Sequence, residues 1–561
     1  GNSSNTTGIN GTIAIGKSAL AALTSGAGNV AIGYSSASVI TTGERNTALG
    51  YQTLVQGTTE TDDNVAIGYQ AMSGSIGAEV VNDCVAIGSG ALKGNLDSTD
   101  GADEASGTVA IGKSALAALT TGAGNVAVGY TALTACSTGG SNIAIGSTAL
   151  EDLVSGGANV AIGRNAGKEM GAAENGNILI GMAAGQSLDE GSGGTIDDNI
   201  AIGKDSFTGA DLSSASTAVY RNIAIGTNTL NSTGTNAQTG TIAIGYDALT
   251  ALTSGAGNTA IGYRAGSSLT TTDSNTTVGY NAYYLGTGAD NTAVGKNSLL
   301  DVISGSSNTA IGTNAIGGGL GTTADNSVGN VAVGKDAMGG SWANAETDYC
   351  VAVGHAALSG AINSIDGTVA IGASALAALT TGANNVAIGR SSGENITDGG
   401  NNTFVGHGVG DGTHVSSSDN VAIGRSAMGG AQGGSASSYN VMVGELAMGT
   451  GTLNAANENV AVGYKCLEDT TTGDNNTAIG SQAGASITDG HDNIIIGQNA
   501  GDVTTSVGFS VIIGQAACGT GNITDAADGT VAIGSETLKA LTTGGRNTAV
   551  GYRACVETVA G

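Results

Sequence analysis

Asn29-Val-Ala-Ile-Gly-Tyr34 returns, with small changes, as Asn125-Val-Ala-Val-Gly-Tyr130, Asn258-Thr-Ala-Ile-Gly-Tyr263 and Asn547-Thr-Ala-Val-Gly-Tyr552. Thirty copies of this hexapeptide run along the 561 residues, with glycines from Gly16 to Gly551. Successive glycines are 17 residues apart in 14 of the 29 intervals; one interval is 16 and the rest run from 18 to 24. One unit of this size cannot bury its own apolar face, so a fixed period implies stacking. Val-Ala-Ile is β-branched and alternates large with small, which predicts a strand. A second apolar piece follows the Gly, as in Ser18-Ala-Leu-Ala-Ala-Leu23, and then a turn such as Thr24-Ser-Gly-Ala-Gly28. The period leaves room for a strand, a corner, a second strand and a turn. The chain therefore reads as all-β: a parallel β-solenoid of about 30 coils with a 17-residue repeat and inserted loops, one continuous repeat domain over 1–561.

Alternation also assigns faces. The β-branched residue and the Ile or Val share one face; Asn, Ala and Gly share the other. The bulky face is expected to be the interior, leaving a stripe of Ala and Gly on which neighbouring chains could pack side by side. Continued alternation would then carry the residue after the Gly, often Lys, Arg or Tyr, into the core. A break of parity at the Gly is therefore predicted, as a bulge or corner. Asn29, Asn125, Asn258 and Asn547, with Gly33, Gly129, Gly262 and Gly551, read as structural repeat positions. Stacked Asn can form an amide ladder.

Composition supports a thin core. There are 98 Gly, no Pro, 3% aromatic and 11% charged residues, while 40% is apolar. The formal charge of −28 opposes both a phosphate backbone and an anionic lipid surface, so neither nucleic acid nor membrane insertion is expected. No leader is read before Gly1, and no apolar run reaches the length of a membrane span. The six Cys lack CxxC spacing and read as buried free thiols.

The Asn-x-Ala-Ile-Gly core with a following Ala, as in Asn29 to Gly33 then Ala37, or Asn46 to Gly50, resembles the head repeats of trimeric autotransporter adhesins and the related repeats of phage and marine-virus tail fibres. That resemblance implies a left-handed parallel β-roll, three chains side by side, a surface that binds a host, and a location outside the cell, on a cell or virion surface. The repeat here is longer than the adhesin head repeat and is frequently interrupted, and the family's coiled-coil stalk and membrane anchor have no counterpart in this sequence.

Function is expected in the longer intervals, which project loops from a rigid scaffold: 71–82, 91–107, 186–198, 207–221, 315–329, 337–349, 427–439 and 518–529. Trp342, the only Trp, shares one of them with Tyr349 and suggests a sugar-stacking site. Tyr34, Tyr51 and Tyr69 follow the repeat Gly on successive coils, predicting a stacked ladder with a glycan stripe as the alternative. Acidic turns at Asp62-Asp63, Asp197-Asp198, Asp474 and Asp492 could hold Ca²⁺, although no complete ligand set is present. The four His have no paired nucleophile or ligand, so no catalytic residue, metal site or cofactor is assigned.

The reading these residues favour is a non-enzymatic adhesion fibre, a viral tail fibre or bacterial surface adhesin, recognising a cell-surface glycan or protein and assembling with copies of itself as a homotrimer or filament. The alternatives are a ligand-free structural spacer and, further off, a polysaccharide-cleaving tailspike. Ice binding would need a regular Thr array, and Thr47, Thr259, Thr292 and Thr309 are irregular and predicted to point inward.

Overall fold

The structure, a computed structural model, describes residues 8–55, 61–75, 81–96, 105–188, 195–209, 218–232, 238–300, 302–317, 326–341, 346–412, 414–431 and 433–560. Two compact units divide the chain, Gly1–Val278 and Gly279–Gly561. Among the described residues each holds fifteen repeat strands of three residues, from Ile13–Ile15 to Thr276–Val278 in the first and from Thr292–Val294 to Thr548–Val550 in the second. Within a unit, consecutive repeat strands pair in parallel and in strict register, as Val30, Ala31 and Ile32 do with Thr47, Ala48 and Leu49. Each unit is thus a parallel β-solenoid, one strand per rung, with successive rungs at the ordinary strand spacing of about 4.8 Å.

The faces are the reverse of the sequence expectation. The central residue of the strand points inward: Ala31, Ala48, Ala110 and Ala387 are fully buried, and the Asn before the strand lies on the same side. The β-branched residues point out, with Ile32 partly exposed and Ile162, Ile261 and Ile479 more so. Thr47, Thr259, Thr292 and Thr309 therefore also point outward, in one of two columns that is mostly Val and Ile. The small face is inside because the space is narrow. It is shared with a large residue from the second apolar piece, such as Leu116 or Leu133, which is fully buried. A strand carrying Ile on both sides of its centre could not also face Leu across so thin a layer. The expected stripe of Ala and Gly for neighbouring chains is accordingly absent, and an apolar stripe of Val and Ile takes its place in each unit.

The same inversion removes the need for a parity break, since Tyr34 simply continues the outward face. The Gly is required for other reasons. All thirty repeat glycines have φ between +126° and +152°, a region that L side chains avoid. A Cβ at Gly33 or Gly389 would also collide with the carbonyl oxygen of the next rung's Gly.

The second apolar piece forms no strand. Two residues per rung, two and four after the Gly, take left-handed conformations, as in Ser114 (φ 57°) and Leu116 (φ 51°). Each such residue costs about 1–2 kcal/mol in backbone strain. Against this, burying a Leu side chain contributes about 1.5–3 kcal/mol, and Leu116 N donates to Ala132 O of the next rung at 3.0 Å. Stacking offsets the strain of the turn. In the first unit Thr195–Asp197, Ala218–Tyr220 and Gln238–Thr239 add a small parallel sheet just ahead of the Asn.

Candidate functional site

The corner that precedes each strand is built on three successive residues. The Asn is the innermost. Asn125 Oδ1 accepts from Asn142 N at 3.0 Å and Asn142 Nδ2 at 3.2 Å, while Asn125 Nδ2 donates to Gly122 O and Gly139 O. Asn29 and Asn46 repeat the pattern, as do Asn258 and Asn275. In the second unit an unbroken Asn run extends from Asn385 through Asn402, Asn420, Asn440, Asn459 and Asn476 to Asn493. The ladder anticipated for this position is therefore present, and it is buried. Asn547, at the last repeat strand, is half-buried and gives its amide to Gly544 O.

Two residues before the Asn, a short polar side chain accepts the backbone N–H of the equivalent residue one rung earlier. Asp62 Oδ1 takes Glu44 N at 2.7 Å, Asp197 Oδ1 takes Asn175 N at 2.7 Å, and Asp474 Oδ1 takes Asn457 N at 2.6 Å. This is the structural use of the acidic turns at Asp62, Asp197 and Asp474. Asp63 instead forms a two-bond ion pair with Arg45 (2.7 and 2.8 Å), which holds its carboxyl below the usual range. Asp198 lies 3.9 Å from Arg221, and Asp492 bonds His491 at 2.9 Å. Among the described residues no group of three His, Cys, Asp or Glu converges as a metal site.

The residue immediately before the Asn, or before Cys350 or Ser510 where these stand in its place, is the one on display. Its N–H is tied to a carbonyl of the preceding rung, as Tyr349 N is to Val328 O (3.0 Å) and Tyr439 N to Ser418 O (3.3 Å). Its φ is left-handed, 56° at Tyr349 and 62° at Tyr439, which turns the side chain out into solvent. Gly, Asn, Asp and Ser suit this conformation best and fill most of the column. Three aromatic residues depart from that rule, all in the second unit: Tyr349, Phe509 and Tyr439, with relative exposures of 69%, 64% and 62%. Tyr349 lies against Gly329, and Gly367 follows it in the column, so neither neighbour supplies a side chain to cover the ring. Phe509 meets His491 edge-on at 4.8 Å. Tyr439 opens onto a shallow pocket lined by Asn457, Glu458, Asp474 and Asn475. A second shallow pocket, in the first unit, is lined by Asp197, Asp198, Ala218, Tyr220 and Arg221, with the Arg221 guanidinium 5.5 Å from the Tyr220 ring.

Trp342 lies outside the described residues, as do parts of most of the inserted loops, so only Tyr349 of that pair has a place here. Tyr34, Tyr51 and Tyr69 form the predicted ladder, with ring centroids 5.1 and 5.6 Å apart and planes inclined by 11°. Lys17 caps the outer face of Tyr34 at 5.8 Å. Stacked in this way Tyr34 and Tyr51 have both ring faces covered and present mainly edges and hydroxyls, a poor platform for a sugar. The display column was missed in the sequence because its signal is negative: a bulky aromatic at a position whose other occupants are left-handed formers.

Five cysteines, Cys84, Cys136, Cys350, Cys466 and Cys518, are buried free thiols, as expected; Cys555 is exposed. Burial pushes Cys84 and Cys136 up to about 11, and Cys350, Cys466 and Cys518 to about 12. Among the described residues no helix is long and apolar enough to cross a membrane. No protein-family model and no curated protein matches the chain.

Proposed function

We propose that the protein is an extracellular adhesion fibre, of the viral tail-fibre or bacterial surface-adhesin kind, that recognises a cell-surface glycan or protein without catalysis and without a cofactor. The observation that supports this best is the display corner: a rigid rung-by-rung scaffold that holds Tyr349, Tyr439 and Phe509 bare to solvent. Aromatic side chains exposed at fixed positions offer a large contact area at little entropic cost, which is what a recognition surface needs. The solenoid fold is itself compatible with a fibrous structural or adhesin protein. Self-association belongs to the same reading. The outward Val and Ile columns give each unit an apolar stripe of a kind that soluble monomers seldom leave uncovered, and side-by-side copies, as a homotrimer or lateral filament, would cover it.

Binding of labelled protein to a panel of cells, before and after surface treatment, tests the reading. Saturable binding that periodate oxidation abolishes would identify a glycan, and binding that protease treatment abolishes would identify a protein receptor. Binding to no surface would leave the ligand-free spacer as the better account. Release of reducing ends from a host polysaccharide would overturn the non-enzymatic reading.

A further inference from the structure

Tyr439, Glu458 and Asn475 occupy the display position on three consecutive rungs, preceding Asn440, Asn459 and Asn476. Each is fixed by the same backbone bond: Tyr439 N to Ser418 O, Glu458 N to Ser438 O and Asn475 N to Asn457 O, at 3.3, 3.1 and 3.1 Å. All three are left-handed, with φ of 62°, 59° and 56°. They differ from their neighbours in having nothing to do inside the fold. Asn457 is committed to Ser438 N and Ala455 O, and Asp474 to Asn457 N. Among the described residues the side chains of Glu458 and Asn475 make no hydrogen bond. The pocket beside them is thus an aromatic wall and two free polar groups, held at a pitch of about 4.8 Å per rung.

We propose that Tyr439, Glu458 and Asn475 form a saccharide subsite that takes one uncharged pyranose ring. This rests on the adhesion reading and gives it a location and a ligand class. The weakly polar C–H face of a pyranose stacks on an exposed phenol ring, and a ring of that size spans about one rung. Its vicinal hydroxyls would donate to the Glu458 carboxylate, while the Asn475 amide both donates and accepts. The carboxylates of Glu458 and Asp474, on a chain of net charge −28, disfavour sialic or uronic acids. Tyr34 and Tyr51 of the first unit's ladder lack these properties, because their ring faces are already covered.

Saturation-transfer NMR on the intact chain tests this, with the methyl pyranosides of glucose, galactose, mannose, fucose and N-acetylglucosamine as probes and methyl sialoside as the anionic control. At least one neutral probe should receive saturation. That signal should fall at least tenfold in Tyr439→Ala and in Glu458→Ala, persist in Tyr439→Phe, and be unchanged in Tyr34→Ala. The substituted side chains are exposed, so thermal unfolding of every variant should match that of the parent. No transfer to any neutral probe, a signal that Tyr439→Ala leaves intact, or stronger transfer to the sialoside would overturn the proposal. Cell binding by Tyr439→Ala separates this failure from the larger one: retained binding there with no pyranoside signal would remove the subsite and leave the adhesion reading standing.

Discussion

Each Asn of the ladder satisfies two rungs at once, which makes it a sensitive position in the repeat. Asn402 Oδ1 accepts from Asn420 N and Nδ2, both at 3.1 Å, and Asn402 Nδ2 donates to Asn385 Oδ1 at 3.0 Å and Ser417 O at 2.9 Å. Asn402→Leu strands a buried N–H and a buried carbonyl and is expected to cost about 2–4 kcal/mol locally. Amide hydrogen exchange of Asn420 should then accelerate by about 30- to 1,000-fold, while amides of distant rungs stay protected. The cysteines give a second check at this scale. Five are buried with their thiols pushed up, and Cys555 is exposed. A thiol-specific reagent should label one Cys per native chain and all six after denaturation. Early labelling of Cys84 or Cys350, which stand in the Asn column, would contradict their placement.

At the scale of the element, the repeat, the strand and the Asn ladder were legible because period and alternation are strong signals. Which face is inside was not, and the error has a definable cause. Asn and the central Ala share a parity, so a buried Asn ladder and a bulky interior could not both hold. The ladder was the better guide, because a buried amide column satisfies itself while Ile on the outside loses only part of its burial. The second apolar piece was misread as a strand because left-handed Leu is rare, and only stacking makes it tolerable. Core packing was also hidden in the sequence. Phe404 replaces the strand-centre Ala, and the positions that elsewhere carry Leu in the flanking turns are Gly393 and Gly410. A Cβ at Gly393 would lie 2.9 Å from the Phe404 ring and 2.9 Å from Leu376. Phe404→Ala should cost about 3–5 kcal/mol. Gly393→Ala should be costly alone yet less costly in the Phe404→Ala background. Denaturation midpoints of the two single variants and the double variant measure the coupling, and strict additivity would mean that the glycine and the ring are independent.

For the whole molecule, charge sets the response to solvent. A formal −28 opposes the compact state by self-repulsion. Specific groups pull in both directions. Asp63 is held low by its bond to Arg45, and Asp336 by its bond to Asn314 and then by Lys335; their stabilisation is present above the ordinary carboxylate range and lost as pH falls. Burial raises Asp411 and Asp502, whose contribution is greatest at low pH and lost as pH rises. With two groups on each side, relief of self-repulsion decides. The melting midpoint should rise between about 0.05 and 0.5 M NaCl and between about pH 7 and pH 5. A fall under both changes would mean that surface ion pairs such as Arg45 with Asp63 outweigh the repulsion.

The outward Val and Ile stripe is the feature on which side-by-side assembly into a fibre stands, and the absolute mass of the particle by light scattering after size exclusion tests it most directly. A mass of about three times 53.7 kDa is expected, falling to that of a single chain when outward residues such as Ile162, Ile261, Ile388 and Ile479 are replaced by Asp. A parent protein that stays a single chain at every concentration would contradict it, as would an assembly that those four substitutions leave intact.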